Sequence, residues 1–259
     1  MKTKYLIGNI KMNMDKESLI PYFENIREIA ENSNNVVGVC VPSVYLDLAE
    51  RYLNGSKVWY GVQNFYFEDK GTYTGEISGN MLKDFNAHMV IVGHSERRAM
   101  FNETNEDVNK KIKKALSLGL KPILCFGETR DERMSGKEKD VVKTQLFEAL
   151  KDIEKEQLKE IIFAYEPVWA ISCGIVATNA KDDVAATSDI AEEMLAYSKG
   201  LISEKYNVKN NEIIMLYGGS MKPSNALELL SQKDIDGGLI GGACLKFETF
   251  KGVIDVEIE

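Results

Sequence analysis

Eight short apolar runs, spaced along the whole chain, constrain the fold more than any other feature. Each run is rich in β-branched residues and almost continuously apolar, which is typical of strands buried on both faces of a sheet. The runs are Lys4–Ile10, Val36–Val41, Val58–Gln63, Met89–Gly93, Pro122–Phe126, Ile161–Tyr165, Ile213–Tyr217 and Gly238–Ile240.

Amphipathic segments lie between these runs and predict helices. One helix is predicted from Asp140 to Leu158, where apolar residues form one stripe. Thr104 precedes an acidic first turn and predicts a helix start, and Pro223 suits a first helical turn. The first amphipathic segment has apolar residues at helical spacing, namely Leu19, Tyr22, Phe23, Ile26, Ile29 and Ala30.

The βα pattern repeats eight times in 259 residues without a Pro/Gly/Ser-rich linker. This length and order predict an α/β fold, a single-domain (β/α)8 barrel over residues 1–259, with right-handed crossovers. An open, doubly wound sheet is the rival interpretation. Polar residues would gather at one switch point in the open sheet, whereas in a barrel they follow many strands.

Polar residues and glycines follow seven of the eight runs, which favours the barrel. In chain order they are Asn9 and Lys11, Gln63 and Asn64, His94 to Arg98, Gly127 and Glu128, Glu166, Gly218 to Ser220, and Gly241 with Gly242.

Three of these side chains have the chemistry of a proton-transfer site. Lys11 follows a buried strand, where its cation can face the barrel mouth, although an exposed lysine is the commoner outcome. His94 precedes a predicted helix start, and the positive end of a helix disfavours an imidazolium, so we predict a neutral His94. Glu166 ends an apolar run, where partial burial of its carboxylate would suit a general base.

The neighbouring charged residues have simpler interpretations. Arg97 and Arg98 are predicted to form ion pairs with Glu96. His88 is predicted to be a turn or surface histidine.

The chain carries a net charge of −8, yet two Gly-Gly pairs predict an anion site. The pairs lie in YGGS and IGGA, after the seventh and eighth runs, where barrels commonly bind phosphate through backbone N–H groups. The overall charge argues against nucleic acid as a partner. No run is long enough for a membrane span. Four separated cysteines, Cys40, Cys125, Cys173 and Cys244, indicate a reducing, cytoplasmic location.

The ordered motifs make the chain resemble the triosephosphate isomerase family over nearly its whole length. They are GNIKMN, GVQN, GTYTGEIS, VGHSERR, CFGE, AYEPVWAI, YGGSMKP and GGLIGGACLK. The resemblance implies the TIM barrel fold. It also implies interconversion of dihydroxyacetone phosphate and D-glyceraldehyde 3-phosphate through an enediol(ate), in glycolysis and gluconeogenesis, without a metal or organic cofactor.

The resemblance also implies a role for each site residue. Glu166 is the base, His94 the neutral electrophile and Lys11 the cation, a division of labour for which triosephosphate isomerases are themselves the standard example. Asn9 holds Lys11 and a substrate oxygen, Glu96 orients Lys11 or the base, and Ser95 lies near the resting Glu166. Backbone N–H groups of Ser172, Ser220, Gly241 and Gly242 bind phosphate.

By the same resemblance, a lid follows Glu166. Its first hinge is Pro167, Val168 and Trp169. Its tip is Ala170, Ile171, Ser172, Cys173 and Gly174, and its second hinge is Ile175, Val176 and Ala177. Relatives mostly have Gly-Thr-Gly where Ser172-Cys173-Gly174 stands, and an aromatic residue in place of Ile10.

The family is usually dimeric, so the resemblance implies a homodimer. The segment FYFEDKGTYTGEIS corresponds to the long third loop, which would present Thr74 to the partner's Asn9, Lys11 and Glu96. Two alternatives stay open: an isomerase for a four-carbon ketose phosphate, suggested by the altered lid, and a catalytically silent dimeric binding protein. A Schiff-base aldolase using Lys11 is disfavoured, because a hydrogen-bonded cationic lysine is a poor nucleophile.

Overall fold

The computed structural model describes residues 3–171 and 186–258, and in these residues eight parallel strands close into a barrel. Strand β1 pairs with both β2 and β8, which confirms the barrel and rules out the open sheet. The strands are β1 Tyr5–Asn9, β2 Val36–Val41, β3 Trp59–Val62, β4 Met89–Val92, β5 Lys121–Phe126, β6 Ile162–Tyr165, β7 Ile214–Tyr217 and β8 Gly237–Ile240.

Helices of the described part follow the strands and surround the barrel. They are α1 Lys16–Asn32, α2 Leu46–Leu53, α3 Gly79–Asp84, α4 Ser95–Phe101, α5 Asn105–Ser117, α6 Arg130–Met134, α7 Glu138–Ala149, α8 Ser188–Tyr206, α9 Pro223–Leu230 and α10 Phe247–Ile254. Short 3₁₀ turns lie at Ser43–Tyr45, Lys155–Glu160, Val168–Ala170, Asn210–Glu212 and Gly242–Leu245.

Local chemistry explains where several helices begin and end. Thr104 caps α5 in a reciprocal capping box with Asp107, and Pro223 is the first residue of α9, so both predicted helix starts are confirmed. The predicted helix from Asp140 to Leu158 is wrong in its second half. Helix α7 ends at Ala149, and Asp152 adopts a left-handed conformation with φ of 57°, which an α-helix cannot contain.

The core has two layers, inside the barrel and between the barrel and its helices. Alternate residues of each strand point to opposite faces, so each strand contributes to both layers. Ile10 is fully buried in the outer layer. The inner layer contains Ile7, Cys40, Met89, Ile91, Ile123, Cys125, Ile162, Ala164, Leu216 and Leu239.

His88 corrects the prediction of a turn or surface histidine. It lies directly before β4, is half-buried, and meets the ring of Tyr60 edge-on with centroids 4.9 Å apart. Its Nδ1 accepts a hydrogen bond from the Tyr60 N–H at 3.4 Å, and burial lowers its pKa. The sequence pattern could not reveal this contact, because Tyr60 belongs to the preceding strand.

A buried ion pair ties helix α8 to the start of β8, and its carboxylate also binds the backbone of β7. The carboxylate of Asp236 accepts hydrogen bonds from the Lys199 ammonium at 3.0 Å and from the Met215 N–H at 2.9 Å. Both charged side chains are almost fully buried. Asp236 therefore links α8, β7 and β8 at the point where the eighth strand begins.

We predict that Asp236→Ala lowers the free energy of unfolding by about 3 kcal/mol, because the Met215 N–H loses this acceptor and, of its described partners, the buried Lys199 ammonium keeps only Asp234. Urea denaturation measures the change. Asp255→Ala, which removes an exposed partner of Lys251, is the matched control and is expected to change little. Equal effects of the two substitutions would contradict the role given to Asp236.

Candidate active site

The carboxyl ends of the strands open onto a cavity of about 400 Å³. Residues from the ends of β1, β4, β6, β7 and β8 line it together, as expected for the mouth of a barrel. Of the residues singled out from the sequence, those that line the cavity are Asn9, Lys11, His94, Glu166, Ile171, Gly218, Gly219, Ser220, Pro223, Gly241 and Gly242. Glu96 touches this group through Lys11, and Thr74 lies exposed on its loop outside the cavity.

His94 occupies the N-cap position of α4, and this position determines its tautomer. Its Nδ1 accepts a hydrogen bond from the backbone N–H of Glu96 at 3.2 Å. A nitrogen that accepts an N–H bond carries no proton, so in the neutral ring the proton lies on Nε2. Nε2 is 3.0 Å from Oε1 of Glu166, which makes His94 a donor that faces the carboxylate.

Glu166 is a buried carboxylate held at two points. Its side chain is 2% exposed. Oε2 of Glu166 accepts a hydrogen bond from the backbone N–H of Ser95 at 2.9 Å. The backbone N–H of Glu166 donates to the carbonyl oxygen of Phe126 at 2.7 Å. A Cβ at Gly127 would stand 1.9 Å from the Glu166 carbonyl oxygen, so only glycine permits this approach. The sequence placed Glu166 at a strand end, and its neighbours keep it there.

Lys11 is fixed by its backbone as well as by its charge. It adopts a left-handed conformation with φ of 52°, which is uncommon for a residue with a side chain. Its N–H donates to Oδ1 of Asn9 at 3.1 Å, and its carbonyl accepts the amide of Gln63 at 3.0 Å. Its ammonium lies 2.6 Å from Oε1 of Glu96. Asn9, Gln63 and Glu96 therefore direct the cation into the mouth.

The arginine pair does not bind Glu96, which corrects the sequence-based prediction. Arg97 faces Glu103 at 3.4 Å, while Arg98 donates to the carbonyl oxygens of Gly93 at 2.7 Å and Cys125 at 3.2 Å. Glu96 is instead the partner of Lys11. The pattern SERR suggested a local pair, but helix geometry turns the arginines toward other elements.

The two Gly-Gly turns meet at one side of the cavity. Gly241 stands so near Lys11 that an added Cβ would lie 3.4 Å from Cε of the lysine. The 3₁₀ turn Gly242–Leu245 begins there, and its first N–H groups have no acceptor within the turn. Of the predicted lid, Pro167 to Ile171 are described and include a 3₁₀ turn at Val168–Ala170. Ser172, Cys173, Gly174, Ile175, Val176 and Ala177 lie outside the described residues.

Comparison with known proteins agrees with this arrangement. The triosephosphate isomerase family model matches residues 4–257. The chain belongs to the triosephosphate isomerase family. It is 43% identical over 256 residues to the triosephosphate isomerase of Alkaliphilus metalliredigens, covering 98% of this chain and 100% of that protein.

Other members of the family align over similar lengths. The enzyme of Lactobacillus helveticus is 40% identical over 258 residues, covering 99% of both chains. The crystal structure of triosephosphate isomerase from Bartonella henselae superposes with a TM-score of 0.85 at 38% identity, covering 97% of this chain and 98% of that chain.

Neither a metal-binding cluster nor a helix that could span a membrane lies in the residues that the structure describes. No group of three or more His, Cys, Asp and Glu side chains could hold a metal ion. None of the described helices is long and apolar enough to cross a membrane.

Glu128 is a buried carboxylate for which the sequence pattern predicts no role, and it acts as an anchor by binding side chains from β6 and from the segment after Glu166. Its carboxylate is fully buried and accepts the Tyr165 hydroxyl at 3.0 Å and the Trp169 indole N–H at 2.8 Å. Arg133 donates to it at 3.1 Å and lies over the Trp169 ring at 4.9 Å. Burial and the Glu128 charge raise the pKa of Tyr165. Glu128 thus joins the end of β6 to the segment that follows Glu166.

We predict that Glu128→Ala lowers the free energy of unfolding by about 3 kcal/mol, because Tyr165, Trp169 and Arg133 lose a buried acceptor. In a Trp59→Phe background, Trp169 emission is expected to move to longer wavelength. Glu132→Ala, which removes only a capping contact on α6, is the control, with a loss of about 1 kcal/mol and unchanged emission. An unshifted spectrum for Glu128→Ala would refute the anchor.

Proposed function

We propose that this chain, as a single catalytic domain, interconverts dihydroxyacetone phosphate and D-glyceraldehyde 3-phosphate. One observation carries the proposal: a buried carboxylate, an imidazole N–H and a lysine ammonium converge on a cavity that also contains two glycine turns. A carbon acid next to a carbonyl needs a base, a donor to the carbonyl oxygen, and positive charge. The family membership supports the same substrates.

Glu166 acts as the base. In dihydroxyacetone phosphate it takes a proton from C1, and the electron pair of the broken C–H bond forms the C1=C2 double bond. The carbonyl π electrons move to O2, so an enediolate results. Before substrate binds, Glu166 is held by Ser95 and His94, and substrate competes for the His94 contact.

Lys11 and His94 stabilise the charge that develops on oxygen. The Lys11 ammonium supplies positive charge, and Glu96 keeps it in place at 2.6 Å. His94 presents Nε2–H as a neutral donor, because its Nδ1 is occupied by the Glu96 N–H. Preorganised donors of this kind stabilise a transition state without reorganisation at the moment of reaction.

In the second half of the reaction, Glu166 returns the proton to C2 of the enediolate. The proton on O1 passes to O2 with His94 as the nearest donor and acceptor, and the electron pair of O1 forms the new carbonyl. The double bond takes the proton from Glu166 at C2, which gives D-glyceraldehyde 3-phosphate. Glu166 ends as a carboxylate, so the step balances.

The phosphate is assigned to the glycine turns. Backbone N–H groups of Ser220, Gly241 and Gly242 are proposed to bind it, with Ser172 as a fourth donor that lies outside the described residues. Lys11, next to Gly241, adds local positive charge although the chain as a whole is acidic. No observation favours the four-carbon substrate or the silent binding protein. The ion pair of Lys11 with Glu96 argues against a Schiff base.

We predict that the wild-type chain is active in a coupled assay with D-glyceraldehyde 3-phosphate. Glu166→Gln is expected to lower kcat about 10³-fold, since the base is removed. Glu166→Asp retracts the carboxylate and is expected to lower kcat about 10²-fold. Glu204→Asp, on the exposed face of α8, is the control. Unchanged turnover in Glu166→Asp would remove Glu166 as the base, and preference for a four-carbon ketose phosphate would favour the alternative substrate.

We also propose a homodimer, supported by a second groove beside the site. This groove, of about 500 Å³, is lined by Lys11, Glu96, Met12 and Phe101. Met12 is 95% exposed and Phe101 64% exposed, and exposed apolar groups of this size are typical of interfaces. The third loop, with Thr74 at its exposed tip, is the segment proposed to enter the partner's groove.

We predict that Phe101→Asp yields a monomer that loses most of its activity, because a charge cannot be buried unpaired in the interface. Sedimentation velocity and the coupled assay give both readouts. Leu227→Asp, at an exposed apolar residue on α9, is the matched control and is expected to stay dimeric and active. A fully active monomer would contradict the proposal.

A cytoplasmic location is proposed as well. Cys40, Cys125 and Cys244 are free and buried, which supports a reducing compartment.

A further inference from the structure

The thiol of Cys244 lies next to the Gly241 turn, one of the two glycine turns that line the cavity. The side chain is fully buried, in the 3₁₀ turn after β8. Its Sγ donates to the Gly241 carbonyl oxygen at 3.0 Å, and its backbone N–H donates to the same oxygen at 3.2 Å. Two donors of one residue therefore hold one carbonyl group.

The same side chain contacts the first strand. A Cβ added at Gly8 would lie 3.0 Å from Cβ and 3.2 Å from Sγ of Cys244, so the absence of a side chain at Gly8 makes room for the thiol. Burial raises the pKa of Cys244 to about 12, although the Lys11 charge and the Asn9 backbone N–H act in the opposite direction. The sulfur is thus protonated at neutral pH, as a donor must be, and lies close to the Asn9–Lys11 turn.

The geometry of the peptide bond connects this contact to the cavity. In a planar trans peptide, the N–H points away from the C=O of the preceding residue. Because the Gly241 carbonyl is directed toward Cys244, the Gly242 N–H is directed to the opposite side. Gly242 lines the cavity, and its N–H is one of the phosphate donors assigned above.

We propose that Cys244 is a positioning residue for the phosphate site, which aims the Gly242 N–H by holding the Gly241 carbonyl. The proposal rests on the proposed function, since it takes the phosphate of the substrate to be the ligand. Cys244 touches neither the substrate nor the reacting atoms, so its effect belongs to binding of the phosphate.

The test is a set of variants assayed for phosphate binding and for turnover. Cys244→Ala removes the Sγ donor, and Cys244→Ser replaces it with a hydroxyl. We expect Cys244→Ala to weaken binding of inorganic phosphate, measured by calorimetry, about five-fold, as loss of one modest hydrogen bond implies. KM for D-glyceraldehyde 3-phosphate should rise by the same factor while kcat changes less, and Cys244→Ser should restore both constants.

Cys40→Ala is the matched control, because it removes an equally buried thiol from β2 that donates no hydrogen bond in the described structure. It is expected to lower the melting temperature without changing phosphate affinity. Wild-type phosphate affinity in Cys244→Ala, or an equal loss in Cys40→Ala, would overturn the proposal.

Cys244→Ser keeps the test decisive if Cys244→Ala does not fold. A folded serine variant that binds phosphate five-fold more weakly, or worse, would also overturn the proposal, since the hydroxyl preserves the donor. Phosphate binding does not depend on turnover. A wild-type chain that binds phosphate but isomerises neither triose phosphate would refute the proposed function and leave the positioning role to be judged by calorimetry.

Discussion

The first turn of α4 is the constraint on which the site depends. The N–H of Ser95 holds the Glu166 carboxylate, and the N–H of Glu96 holds Nδ1 of His94. The Glu96 side chain in turn holds Lys11. One helix start therefore orients the Glu166 carboxylate, the His94 imidazole and the Lys11 ammonium with respect to one another. Backbone N–H groups have little freedom to move, which is why this arrangement is preorganised.

The second constraint on the site is closure of the barrel, which pairs the first strand with the last. Pairing of β1 with β8 brings the Lys11 turn beside the Gly241 turn, although the two are separated by nearly the whole chain. Lys11 accepts a left-handed conformation, at a cost of order 1–3 kcal/mol, and its bonds to Asn9 and Gln63 offset that cost. Hydrogen bonds formed on folding thus hold Lys11 in a strained backbone conformation that directs its ammonium toward the cavity.

Features that arise from local chemistry could be read from the sequence. All eight strands were predicted because buried parallel strands are apolar throughout, and the start of α5 was predicted because Thr104 and Asp107 form a capping box. Contacts between distant elements could not be read. Arg98 donates to the carbonyl of Cys125, and His88 packs on Tyr60. Glu128 accepts hydrogen bonds from both Tyr165 and Trp169. Each of these contacts joins residues that are far apart in the sequence. The end of helix α7 could not be predicted, because the apolar stripe of the sequence continues past the left-handed Asp152.

The chemistry proposed for the site depends most directly on a His94 ring that carries its proton on Nε2, facing Glu166, and none on Nδ1. The chain contains only two histidines, His88 and His94, so ¹⁵N NMR of the labelled protein at pH 7 resolves them, with His88→Asn for assignment. We expect a proton coupled to Nε2 and an unprotonated Nδ1 that accepts the Glu96 N–H. A spectrum with Nδ1 protonated, alone or together with Nε2, would contradict this expectation.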